Sequence, residues 1–173
     1  MRRAASRLML AAVVLVGAGF ALAVPAAANT PVRSVIRVNE TDVDRSICPF
    51  AVTFHLHGSF KNVDFYDRSG FLYKTIDTVG GGAPFRVTAT AKGTTLTMQN
   101  EAFSVVITYH DDGSVATYTQ RGLFDKFTTP HGGIVLLDTG IISFSEPDEA
   151  ILFAGGPHQA VNGDFDRFCA AFG

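Results

Sequence analysis

Residues 50–60 read FAVTFHLHGSF, and this stretch decides the fold class. Phe50, Val52, Phe54, Leu56 and Phe60 fall on one face of an extended chain, while Thr53, His55, His57 and Ser59 fall on the other. That is the period-two alternation of a half-buried strand. A helical period of 3.6 residues would scatter both sets around the axis.

The same alternation recurs downstream. Val63 to Asp67 and Phe71 to Thr78 flank Arg68-Ser69-Gly70 as a hairpin, and Phe85, Val87 and Ala89 alternate with Arg86, Thr88 and Thr90 before Lys92-Gly93 turns the chain into Thr94 to Gln99. Gly80-Gly81-Gly82 reads as a flexible link and Asn100-Glu101 as a tight connection. Phe103, Val105, Ile107 and Tyr109 line one face of a longer strand. Asp111-Asp112-Gly113-Ser114 is the strongest hairpin signal; its partner strand runs from Val115 to Arg121, with Leu123 to Thr128 continuing after a bend at Gly122. Ile134 to Leu137 and Ile141 to Ser145 read as two apolar strands flanking Asp138-Thr139-Gly140, and Glu149 to Ala154 as a final strand. The residues between Asn29 and the first strand read as a short polar lead. The expected fold is all-β, an antiparallel up-and-down barrel or sandwich of about ten short strands.

The carboxy terminus breaks the pattern. Asn162 can cap a helix, Asp164 and Asp166 suit its first turn, and Phe165, Phe168, Cys169 and Phe172 share a face at helical spacing. A short helix is therefore expected there, with Cys169 pointing inward.

At the other end, Arg2, Arg3 and Arg7 precede the apolar run Leu8 to Val24 and the triplet Ala26-Ala27-Ala28, the order of a secretory signal peptide. Residues 1–28 are assigned to that signal and residues 29–173 to a single domain. Cleavage after Ala23 also satisfies the small-x-small rule but leaves Pro25 second in the mature chain, where its ring suits a peptidase cleft poorly. The residues after Arg2-Arg3 lack the fuller twin-arginine pattern, which favours general secretion. An uncleaved anchor is the alternative, since the 21 residues from Leu8 to Ala28 can just span a bilayer. The expected location is extracellular, with no membrane association after cleavage. Removing the signal takes three of the 14 basic residues and none of the 16 acidic ones, so the mature chain carries a net charge of −5. Such a surface repels nucleic acid and anionic lipid.

Export also changes what the two cysteines mean. In an oxidising compartment Cys48 and Cys169 are expected to pair, closing a loop of over a hundred residues and stabilising the fold by about 4–5 kcal/mol in the chain-entropy model. Two buried free thiols are the alternative.

Chemistry is harder to find. His55 and His57 project to the same side of a strand and can share a metal, with His110, His131 or His158 as distant third ligands. The glutamate that cupins place shortly after such a pair is missing, and two solvent-facing histidines are the simpler alternative. There is no Gly-x-Ser-x-Gly elbow and no Walker or dinucleotide glycine pattern. Asp42 with Asp44, Asp111 with Asp112 and Asp164 with Asp166 are acidic pairs, two of them at turns or helix starts that favour aspartate anyway. Asn39-Glu40-Thr41 matches a glycosylation acceptor. The mature domain holds 14 of the 15 phenylalanines and the chain has no tryptophan. Such an interior either packs as a core or leaves a cavity for a lipid or other apolar ligand.

Gly133-Ile134-Val135-Leu136-Leu137-Asp138-Thr139-Gly140, Ala154-Gly155-Gly156-Pro157-His158 and the ending Gly163-Asp164-Phe165 to Cys169-Ala170-Ala171, with Cys48-Pro49, resemble secreted actinobacterial β-domain proteins of unassigned function. The resemblance covers most of the mature chain and implies an exported β-domain with two terminal cysteines. It supplies no catalytic residues. The functional expectation is a monomeric, non-enzymatic binding or interaction module without a cofactor, with an apolar small molecule or lipid in the barrel as its leading form. A metal-dependent or other extracytoplasmic enzyme using His55 and His57 is the runner-up, and an inert cell-surface interaction domain the third reading.

Overall fold

The computed structural model describes residues 30–80, 85–98 and 102–173. The expected signal segment, most of the Gly80-Gly81-Gly82 link and the Asn100-Glu101 connection lie outside the described residues. Nine strands form one antiparallel sheet: β1 (Val32–Asp44), β2 (Val52–Tyr66), β3 (Leu72–Val79), β4 (Phe85–Ala91), β5 (Thr94–Met98), β6 (Ala102–Tyr109), β7 (Val115–Thr128), β8 (Ile134–Ser145) and β9 (Ala150–Gly155). One helix, α1 (Asp166–Ala170), follows. The antiparallel all-β sheet is the one expected from the alternation, and the short C-terminal helix the one expected from the helical spacing of the last phenylalanines.

The register shows how the sheet is laid out. β1 pairs with β2 along its whole length, from Val32↔Asp64 to Asp44↔Val52. On the opposite edge of β2, β4 pairs with residues 53–58 and β3 with residues 61–66, so β3 and β4 follow one another along the same lane. β5 and β6 likewise share one edge of β7, with β8 on the other. Because β4 pairs with β5 and β3 with β6, the strands β5, β4, β2, β3, β6 and β7 form a ring of six. β8 and β9 extend the sheet beyond β7.

Three boundaries differ from the expected ones. β1 is a 13-residue strand where a polar lead was expected. It lies outside β2 and most of its residues are exposed, so it has no apolar alternation to reveal it. Residues 52–66 form one strand rather than two, because Lys61 continues the pairing without a turn. Ile134 to Ser145 is also one strand: Asp138-Thr139-Gly140 has turn-like composition, yet it pairs with Asp125, Leu123 and Gly122 of β7 across a bulge at Phe124.

Gly140 explains why glycine sits inside that strand. Its φ is +118°, and a Cβ there would overlap the carbonyl oxygen of Gly155. Gly122, its cross-strand partner, has φ +113° and the carbonyl of Ala102 in the same relation. The backbones of β6 to β9 therefore approach closely along a line of glycines, which lets the sheet bend sharply there.

The sheet curls far enough for residues of five strands to meet around the C-terminal segment. Phe54, Ala89, Leu96, Phe127 and Leu136, from β2, β4, β5, β7 and β8, pack in one cluster with Phe168 and Phe172. Phe168 is completely buried; its ring lies parallel to Phe54 at 6.2 Å and edge-on to Phe127 at 5.2 Å. α1 is shorter than expected: Phe165 stands at the N-cap without a side-chain hydrogen bond, and Asn162 precedes it in a separate turn. Cys48, in the segment before β2, is disulfide-bonded to Cys169 of α1, as expected. No described helix is long and apolar enough to cross a membrane, and this together with the disulfide is compatible with an extracellular protein.

Candidate functional site

Between the curled sheet and the C-terminal segment lies a partly enclosed cavity of about 130 Å³. Its construction follows from strand parity. Phe54 and Leu56 of β2, Phe85 and Val87 of β4 and Phe103 of β6 stand on the inner face of their strands, opposite the outward-facing set that includes His55 and His57. Phe165 and Phe168 close it from the C-terminal segment. Edge-to-face contacts of Phe103 with Phe85 (6.4 Å) and Phe124 (6.3 Å) hold one wall rigid.

Among the described residues three polar side chains interrupt this apolar lining, and all come from β7. Tyr118, Gln120 and Asp125 open onto the cavity while being 3%, 6% and 8% exposed. Tyr118 and Gln120 lie opposite Ile107 and Val105, which places them on the inner face. The register shift between Leu123 and Asp125 turns Asp125 inward as well. Among the described residues, neither the Tyr118 hydroxyl nor the Gln120 amide has a hydrogen-bond partner in the protein. Burial, reinforced by the negative charges of Asp77 and Asp125, pushes the Tyr118 hydroxyl far above its ordinary range, so it stays a neutral donor.

Beside this wall the inner face turns polar. Asn62 donates to Asp77 at 2.9 Å and accepts from Ser34 at 3.2 Å, and Thr75 donates to Asp64 at 2.7 Å. Burial pushes Asp77 up to about 6, against the opposing Asn62 bond.

His158 and Asp138 carry the residue types of a catalytic dyad but are built into the fold. A bridge joins their backbones, the Ala160 amide donates to Asp138 Oδ2 at 2.9 Å, and Phe124 stacks on the imidazole at 6.0 Å. A carbonyl can only accept, so the 3.2 Å contact with Ile141 O requires the His158 proton on Nε2. Both ring nitrogens thus face protein, and none is left for a substrate. The motifs around Asp138 and His158 meet here as a packing unit.

The predicted histidine pair lies elsewhere. His55 and His57 stand on the outer face of β2 with ring centroids 6.3 Å apart, and His55 Nε2 meets Asn39 Oδ1 at 3.0 Å. His158 is buried beneath the opposite face, and His110 and His131 sit in the turns flanking β7. Among the described residues no three potential ligands come together for a metal ion. Of the acidic pairs, Asp44 and Asp112 are turn residues: Asp44 accepts the Ser46 and Ile47 amides at 2.6 and 2.9 Å, and Asp112 accepts the Ser114 amide at 2.9 Å.

Tyr118 and Gln120 escaped the sequence reading, although the signal for them was present. Val105 and Ile107 belong to a core face, and the Asp111-Asp112-Gly113-Ser114 hairpin pairs them with Gln120 and Tyr118. Two polar residues directly opposite two core residues mark a buried polar patch. No family model matches the chain, and no curated protein or solved structure matches it either.

Proposed function

We propose that this chain is an exported, non-enzymatic binding module that holds a small apolar ligand in the cavity between its sheet and its C-terminal segment. The observation that carries this reading is the aromatic cavity itself, about 130 Å³ in volume. A cavity of roughly 150 Å³ lined by apolar side chains stays dry and accepts benzene. The space therefore suits one six-membered ring and is too small for a whole acyl chain. Export is supported by the signal-like amino terminus and by the Cys48–Cys169 bridge, which persists in oxidising compartments.

Chemical denaturation of the purified, disulfide-bonded protein with and without benzene or toluene tests the reading. Binding to the native state alone raises stability by RT ln(1 + [L]/Kd). A ligand-dependent rise, with a one-to-one adduct in native mass spectrometry, is expected. No rise with any single-ring compound overturns it.

A further inference from the structure

We propose that the ligand of this cavity is a neutral single-ring or short-chain molecule bearing a hydroxyl group, held with that group against Tyr118 and Gln120; this rests on the binding-module reading and specifies its ligand class. Polar groups that line a cavity and have no partner in the protein take one from whatever occupies the space. Both open onto the same cavity and come from alternate positions of β7, so with Asp125 they form one polar wall in an otherwise apolar lining rich in phenylalanine. A plain hydrocarbon fills the aromatic part and leaves the patch unsatisfied. Water satisfies the patch and leaves the aromatic part unfilled. A molecule with an apolar body and one hydroxyl does both, since a hydroxyl donates one bond and accepts others, matching a phenol and a primary amide.

Charge narrows the class further. Among the described residues no lysine, arginine or histidine lines the cavity, and Asp125 stands in the same wall as Tyr118 and Gln120, with Asp77 close enough to act on the Tyr118 hydroxyl. A carboxylate or phosphate head brought here would lose its hydration with no cationic side chain to replace it. Fatty acids and other anionic amphiphiles are therefore rejected, although the aromatic lining alone would accept their tails.

The test compares matched probes by isothermal titration on the purified, disulfide-bonded protein: benzene, phenol, benzylamine and benzoate, then pentane-sized and hexanol-sized aliphatics. Phenol and hexanol are expected to bind at least about fivefold more tightly than the hydrocarbons of the same size, the worth of one net hydrogen bond, with benzoate showing no binding. Tyr118→Phe and Gln120→Met should each erase that preference while leaving benzene affinity within about twofold; they remove the polar atoms and keep the volume. If one of these variants fails to fold, the other still decides the matter. Benzene binding as well as phenol, or benzoate or benzylamine binding best, overturns the ligand class and leaves the binding module standing. No binding by any probe overturns both.

Discussion

Asp138 Oδ1 lies 3.6 Å from His158 Nδ1, with both residues buried and neither atom in a hydrogen bond. With the His158 proton on Nε2, Nδ1 turns its lone pair toward the carboxyl group, an arrangement that favours a protonated Asp138. Burial pushes Asp138 up to about 7, the Ala160 amide opposing. A raised carboxyl is neutral in the folded chain at a pH where the unfolded chain has already ionised it. Its contribution to stability is therefore complete below about pH 4 and is lost as pH rises through about 7.

The pH dependence of unfolding should show this directly. Asp77, raised to about 6, acts in the same direction, so these two groups together lower stability between pH 4 and pH 7. Asp138→Asn keeps an acceptor for Ala160 and offers an N–H toward His158 Nδ1. Urea titrations at several pH values should give a slope flattened by a few kcal/mol across that range. An unchanged slope would show that Asp138 is ionised in the folded protein.

Reduction of the Cys48–Cys169 bridge, or the paired Cys48→Ser and Cys169→Ser changes, should lower stability by about 4–5 kcal/mol, the loop being 121 residues in sequence separation. Guanidinium unfolding with and without reductant measures it. The loss should fall most heavily on α1, whose single completely buried residue is Phe168.

Phe168→Ala should cost about 3–5 kcal/mol, the range for deleting a large aromatic from a packed core. It also removes one wall of the cavity, so two-ring compounds that the native protein excludes should then bind. Titration of naphthalene against both proteins reads out this gain.

Gly140→Ala should destabilise by on the order of 3 kcal/mol or more, because the new Cβ meets the Gly155 carbonyl and the residue keeps a φ of +118°. Gly70, with φ +84° and open space around it, is the control: Gly70→Ala should cost only about 1 kcal/mol. Thermal melts of the two variants separate the effect of contact from that of conformation.

The alternation at residues 50–60 was legible because β2 lies between neighbours on both edges and buries one face only. β1 was not, since an outer strand with mostly exposed side chains carries no periodic constraint. Asp138-Thr139-Gly140 looked like a turn for a sound reason: the same residues that favour turns are also required where a carboxyl is buried beside a glycine bend. The α1 disulfide could be read because two cysteines allow one pairing. The cavity could not, since whether fourteen phenylalanines fill their space or leave a gap depends on sub-ångström packing that residue type does not encode. Tyr118 and Gln120 lay between these cases, recoverable from hairpin register once two strands were paired.

The bridge between Cys48 and Cys169 encloses β2 to β9, so every hairpin turn from Arg68 to Asp148 lies on a covalently closed ring of chain. A protease that cuts one of these turns leaves two pieces joined through sulfur as well as by the sheet. Such a nicked molecule would run as a single species until reduced, and it can re-close its sheet as a tethered reaction rather than a bimolecular one. The cut bond stays broken, but the tether keeps both pieces within reach of one another, so a surface nick need not end the fold.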